Sequence, residues 1–177
     1  VSTGKNMKVD ESRFIEFYKM SGSGNDFIII DNRDLSLQII DLPVFVRRIC
    51  QRKISVGADG LFLIEPSEVA DFKWRFFNSD GSVAEMCGNG SRCAARFAYL
   101  NSIAGQKMSI ETEAGIVTAE VFDDNVKVRL TDPSSLEIAR EIMLDGSPYR
   151  LDFIDTGVPH TVSFVDDLDT FDVVGMG

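Results

Sequence analysis

Asn78-Ser79-Asp80-Gly81-Ser82-Val83-Ala84-Glu85-Met86-Cys87-Gly88-Asn89-Gly90-Ser91-Arg92 is the stretch on which the reading of this chain turns. Asp80-Gly81, between the strand-like Phe72 to Phe77 and Val83 to Met86, is a hairpin signal, because glycine takes the positive φ that such a turn demands. An amphipathic helix is predicted after Gly88, through Ala94, Ala95, Phe97, Ala98 and Leu100, stopping before Gly105. Cys87 then falls where a strand ends and a helix begins. Its sulfur would face unpaired backbone N–H groups and the positive end of the helix dipole, which favour thiolate over thiol. A free cysteine is more often a buried structural residue. Gly88 and Gly90 shift the odds toward chemistry, since they leave room for a ligand's oxygens to reach backbone N–H groups.

Upstream, Phe14 to Met20 and Phe27 to Asp31 read as strands around the turn-rich Ser21 to Asp26. Leu42, Phe45, Val46 and Ile49 repeat at helical spacing, with Arg47, Arg48, Gln51 and Arg52 between them and Pro43 suited to the first turn. Cys50 extends that apolar stripe at the i+8 position and reads as core. Leu61 to Ile64 is strand-like, and Lys107 to Glu113, Ile116 to Phe122 and Val126 to Leu130 alternate as strands do. The fold class is α+β.

The 177 residues, 44% hydrophobic and 26% charged, are those of a globular chain and exclude disorder, collagen and coiled coil. A net charge of -10 offers no basic footprint for nucleic acid or anionic lipid, so a small polar substrate is the better expectation. No apolar run approaches the roughly 18 residues of a membrane span. Cys50, Cys87 and Cys93 are an odd set without repeated spacing, which speaks against a disulfide framework or a zinc site and for a reducing cytoplasm. Residues 1–12 hold no apolar stretch of a secretory signal and read as a flexible segment. Residues 1–131 carry 18 acids and 16 bases, net -2, whereas 132–177 carry 10 acids and 2 bases, net -8. Thr131-Asp132-Pro133-Ser134-Ser135 lies at that change and reads as a linker, which places a domain boundary there. Tyr149 to Asp155 and Thr161 to Val165 form the only strand pair expected beyond it, a marginal unit in water.

Other site chemistries fail on spacing. A tyrosine-phosphatase loop needs five residues between Cys and Arg, and only four separate Cys87 from Arg92. Gly22-Ser23-Gly24 lacks the third glycine of a dinucleotide fingerprint. A cysteine hydrolase needs a histidine close to Cys87; the one histidine, His160, is remote in sequence, which leaves proximity in space open. Cys93, six residues further along the helix, lies about 240° around and roughly 9 Å along from Cys87, so the two cannot flank one carbon. Arg92 is open to two uses, binding an anion or pairing with Glu85 or Glu113 at the surface.

Asn78 to Arg92 resembles the signature of diaminopimelate epimerases, matching at every fixed position. Lys19-Met20-Ser21-Gly22-Ser23-Gly24-Asn25-Asp26-Phe27, Gly57-Ala58-Asp59-Gly60 and Thr156-Gly157-Val158-Pro159-His160 are similar to further motifs of that family, in the same order. The resemblance implies a mixed, mostly antiparallel sheet curled around a central helix, in an N-terminal domain of residues 13–131. Residues 132–177 would then be the incomplete start of a pseudo-symmetric second domain. It implies cofactor-free and metal-free epimerisation of LL-diaminopimelate to the meso form, for lysine and peptidoglycan synthesis. Two cysteines would face opposite sides of the α-carbon, the second coming from the missing C-terminal half. By the same resemblance Cys87 is one of the two and His160 tunes them. Asn25 and Asn78 contact substrate, and Gly88 and Asn89 cradle its carboxylate. Val158 stands where some members have a substrate-binding Asn, and Gly60 where some have Gln. A binding module without turnover, or an isomerase of the proline-racemase or phenazine-biosynthesis type, is the alternative. Oligomeric state is not legible, and a homodimer is compatible with everything above.

Overall fold

A computed structural model describes residues 14–39 and 41–176, so the expected flexible segment 1–12 lies outside the described residues. They form two compact units, one ending at Arg129 and the other beginning at Leu130.

The first unit is a mixed sheet with a helix on each face. Its strands are β1 (Tyr18–Gly22), β2 (Asn25–Asp31), β3 (Gly60–Glu65), β4 (Phe72–Asn78), β5 (Val83–Ala84), β6 (Lys107–Thr112), β7 (Gly115–Phe122) and β8 (Asn125–Arg129). They are ordered β1-β2-β3-β4-β6-β7-β8, with β5 pairing only β4. The two parallel pairs, β2 with β3 and β4 with β6, are those a helix connects, as parallel strands require a long crossover. The crossovers are α1 (Leu42–Ile49) and α2 (Gly88–Leu100). Every other pairing in this sheet is antiparallel.

Strand alternation assigns each helix its own core. Ile28, Ile30, Leu61, Leu63 and Phe77 bury with Leu42, Val46 and Cys50 of the α1 side. The alternate residues Phe27, Phe62, Trp74 and Phe76 form an aromatic cluster, with Phe62 stacked on Phe76 at 4.4 Å and edge-on to Phe27 and Trp74. α2 touches β1, β2 and β3 as well as β7 and β8, so strands from both ends of the sheet reach it. The sheet is curled around α2.

Several elements differ from the sequence expectation. β1 starts at Tyr18 rather than Phe14, and β2 extends back to Asn25. The turn-rich loop contracts to Ser23-Gly24, with φ of 52° and 90°, a two-residue turn whose twist suits the flanking strands. The strand after Asp80-Gly81 is only Val83–Ala84. The second unit is a three-stranded sheet, not a lone pair: β9 (Ser134–Leu144), β10 (Ser147–Asp155) and β11 (Pro159–Val162), in the order β11-β10-β9. β9 escaped notice because two register irregularities fall opposite Leu151–Asp155, with Ser135 and Ala139 at positive φ. Each extra residue flips the inside–outside alternation that marks a strand.

Gly90, in the first turn of α2, fixes the height of the helix above the sheet. A Cβ there would lie 2.1 Å from Cζ of Phe62. Glycine-to-alanine in a helix ordinarily stabilises by about 0.5–1 kcal/mol, but Phe62 is fully buried and stacked, and overpacking costs about 1–3 kcal/mol. Gly90→Ala should therefore lower urea-unfolding stability by about 1–2 kcal/mol. Gly105→Ala, whose nearest contact would be 3.9 Å away, should stay within about 0.5 kcal/mol.

Candidate active site

Three loops meet at one end of the sheet because the strand register aligns them. Phe27 pairs with Gly60, and Gly60 pairs with Asn78. The Asp59 N–H donates to the Asp26 carbonyl at 2.9 Å, and the Ser79 N–H to the Asp59 carbonyl at 3.1 Å. Gly81, at φ 84°, lets the third loop approach α1, since a Cβ there would sit 2.5 Å from the Pro43 oxygen.

The first turn of α2 stands beside these loops. Cys87 is its N-cap, half-buried and in extended conformation, and its Sγ accepts from the Gly90 N–H at 3.4 Å. The Ser91 N–H and hydroxyl both donate to the Cys87 carbonyl at 2.8 Å. Among the described residues the N–H groups of Gly88 and Asn89 have no acceptor. A thiol and two adjacent unpaired donors at a helix N-terminus are suited to an anion beside a reactive carbon.

Asn25 and Asn89 come together. Asn25 donates through Nδ2 to Asp59 at 3.2 Å and accepts on Oδ1 from Nδ2 of Asn89 at 2.6 Å. Asn89 in turn accepts on Oδ1 from Nη2 of Arg92, which also reaches the Ser23 hydroxyl at 2.8 Å. Of the two uses open to Arg92, the surface pair with Glu85 or Glu113 is not formed: three residues along α2 from Asn89, Arg92 binds the first helical turn to the β1–β2 turn. Asn78 instead holds its own loop, donating from Nδ2 to the Ser82 hydroxyl at 3.0 Å, and joins the others through Ser79. His160 lies exposed on β11 of the second unit. Its Nδ1 is 2.6 Å from the Val158 carbonyl, an acceptor only, so that nitrogen donates in this contact.

Asp59, Arg52 and Arg92 were not read as site residues from sequence. Asp59 lies within Gly57-Ala58-Asp59-Gly60, and its signal is an acid between two loop glycines. Arg52 counted as polar face of α1, yet α1 ends at Ile49 and Arg52 turns to Asp59 at 2.7 Å and to Asp26. Its guanidinium holds the Asp59 carboxyl below the usual carboxylate range. Gly60 has no room for a side chain, since a Cβ would meet the Phe76 ring at 2.5 Å and the Phe77 carbonyl at 2.6 Å.

The other thiols differ from Cys87 in setting. Cys50 is buried in the α1 core, and Cys93 faces Gly22, where a Cβ would touch its sulfur at 2.9 Å. Burial pushes each up to about 11. The described residues hold no cluster of His, Cys, Asp or Glu suited to a metal ion, and no helix long and apolar enough to cross a membrane.

This architecture is shared with solved isomerases of amino acids. A hydroxyproline epimerase from Agrobacterium vitis superposes with a TM-score of 0.65 at 16% identity, over 86% of this chain and 52% of its own. A probable proline racemase from Agrobacterium radiobacter K84 does so with a TM-score of 0.63 at 17% identity, over 84% and 51%. At the level of sequence, residues 17–136 match the family model described as diaminopimelate epimerase. Diaminopimelate epimerases of Aquifex aeolicus and Archaeoglobus fulgidus are 49% and 43% identical over 92% and 90% of this chain. The chain belongs to the diaminopimelate epimerase family. It spans about three-fifths of the length of the curated relatives it matches, 62% and 61% for these two.

A thiol at about 11 has a thiolate fraction on the order of 1 in 10,000 at neutral pH. Iodoacetamide at pH 7.5 should therefore label Cys87 alone in the native chain and all three cysteines in urea, read by intact mass and peptide mapping. Equal native labelling of Cys93 would contradict the packing described.

Proposed function

We propose that this chain is the N-terminal part of a diaminopimelate epimerase, with residues 13–131 forming one catalytic domain and 132–177 opening the second. Cys87 supplies one of two bases that act on opposite faces of the substrate's α-carbon, and a cysteine from the remainder of the protein supplies the other. In one direction the Cys87 thiolate removes the α-proton while the opposing thiol delivers a proton to the other face. The reverse direction exchanges the roles. The observation that carries this reading is Cys87 at the N-cap of α2 beside two unpaired N–H groups.

An α-proton is weakly acidic because the electron pair left behind needs somewhere to go. It spreads into the adjacent carboxylate, and donors held against that group stabilise the charge as it grows. The Gly88 and Asn89 N–H groups are such donors, on the same turn that holds the base. Asn25 and Asn78 orient the substrate from the neighbouring loops. No cofactor enters this chemistry, and the setting is the cytoplasm.

Incubation of the whole protein with LL-diaminopimelate in D2O should load deuterium at the α-carbon. Cys87→Ala should cut that exchange by at least about a thousandfold, within the range that a positioned acid–base group supplies. Saturable binding of LL-diaminopimelate without exchange in the wild type would identify an amino-acid-binding module instead.

A further inference from the structure

An unbroken chain of hydrogen bonds crosses the site from one charged side chain to another. It runs from the Asp59 carboxylate through Asn25 and Asn89 to the Arg92 guanidinium. The ends decide its direction. A carboxylate only accepts and a guanidinium only donates, whereas a carboxamide does either according to which way it is turned. With Asp59 at one end, Asn25 must turn its NH2 toward it and its oxygen toward Asn89. With Arg92 at the other, Asn89 must offer its oxygen there and its NH2 to Asn25. Turning either amide by 180° sets oxygen against oxygen or NH2 against NH2.

Asp59 is built for this role. One oxygen, Oδ2, accepts from Asn25 at 3.2 Å and from the Asp26 N–H at 3.1 Å. The other, Oδ1, accepts from Arg52 at 2.7 Å. Arg52 also binds Asp26, which Lys19 pairs at 2.9 Å. The same guanidinium keeps Asp59 ionised, hence an acceptor on both edges, at any pH near neutral. Each amide then has one NH2 proton committed within the chain and a second with no acceptor among the described residues.

We propose that Asp59, clamped by Arg52, is a positioning residue that sets the orientation of the Asn25 and Asn89 carboxamides. Both amides thereby meet the substrate as N–H donors, matched to a carboxylate. The proposal rests on the reading of this site as the one that binds an amino acid, and it adds a group that touches no reacting atom.

Side-chain amide signals in 15N spectra of the 177-residue chain report the orientation without any need for turnover. In the wild type, one NH2 proton of Asn25 and one of Asn89 should exchange slowly with solvent. Asp59→Ala should abolish that protection at Asn25 and weaken it at Asn89. Asp59→Asn keeps one oxygen for Asn25 and the Asp26 N–H while its NH2 takes the edge of Arg52, an exposed side chain with room to swing away, and should retain both. In the whole protein, kcat/KM should fall at least tenfold in Asp59→Ala and recover to within about threefold of wild type in Asp59→Asn. Equal damage in both variants, or unaltered amides in Asp59→Ala, overturns the proposal. If Asp59→Ala does not fold, Arg92→Met tests the other end: Asn25, still anchored by Asp59, keeps its oxygen toward the Asn89 NH2, so protection at both amides should remain. Loss of protection at Asn25 there also overturns it. Should Cys87→Ala leave isotope exchange intact, the catalytic reading fails, and the amide measurements still stand or fall on their own.

Discussion

The close approach of α2 to the aromatic cluster is the constraint on which the rest of this domain depends. Gly90 rests on the Phe62 ring with no space for a Cβ, and Phe62 is itself held by Phe27, Trp74 and Phe76. On its other side the same turn meets Gly22, where a Cβ would come within 3.0 Å of the Asn89 carbonyl. Two glycines on different elements thus seat one helical turn between floor and wall. That turn carries Cys87, Gly88 and Asn89, so the position of the sulfur is set by the close packing of glycine backbone and aromatic rings. A floor made of rings suits the task, because interlocked aromatic side chains in rotamer minima yield little to a neighbour.

The polar chemistry is layered on that seat. The three loops at the end of the sheet are first joined by backbone hydrogen bonds through Asp59, then by side chains from Asp59 to Arg92. Most of its ionic pairs are partly exposed, where a single pair contributes only about 0–1 kcal/mol to stability. Their value lies in direction rather than energy, since they determine which atoms of two amides face outward.

What the sequence made legible follows from which forces are local. α1 and α2 were readable within a residue or so, because their apolar stripes and caps are written in neighbouring positions. Cys87 at a strand–helix junction was readable for the same reason. The order β1-β2-β3-β4-β6 was not, since it depends on which strands a crossover brings side by side. β9 was hidden because its bulges at Ser135 and Ala139 break the alternation that would have announced it. The use of Arg92 was not legible because its partners, Ser23 and Asn89, become neighbours only when the β1–β2 turn packs on α2. The importance of Asp59 required knowing that Asn25 lies within reach, across 34 residues of chain.

Gly60 carries a consequence for how this site can change over time. A glutamine at that position would place a long side chain where this protein has the Phe76 ring and the Phe77 carbonyl within 2.6 Å of a Cβ. Phe76 is one of the three rings that support Phe62, and through it Gly90. A glutamine introduced here is therefore not a single step. It requires Phe76 to move or shrink first, and that in turn loosens the floor under the helix. Residues 60 and 76 are thereby coupled through contact, and a side chain gained at the first has to be matched by volume lost at the second.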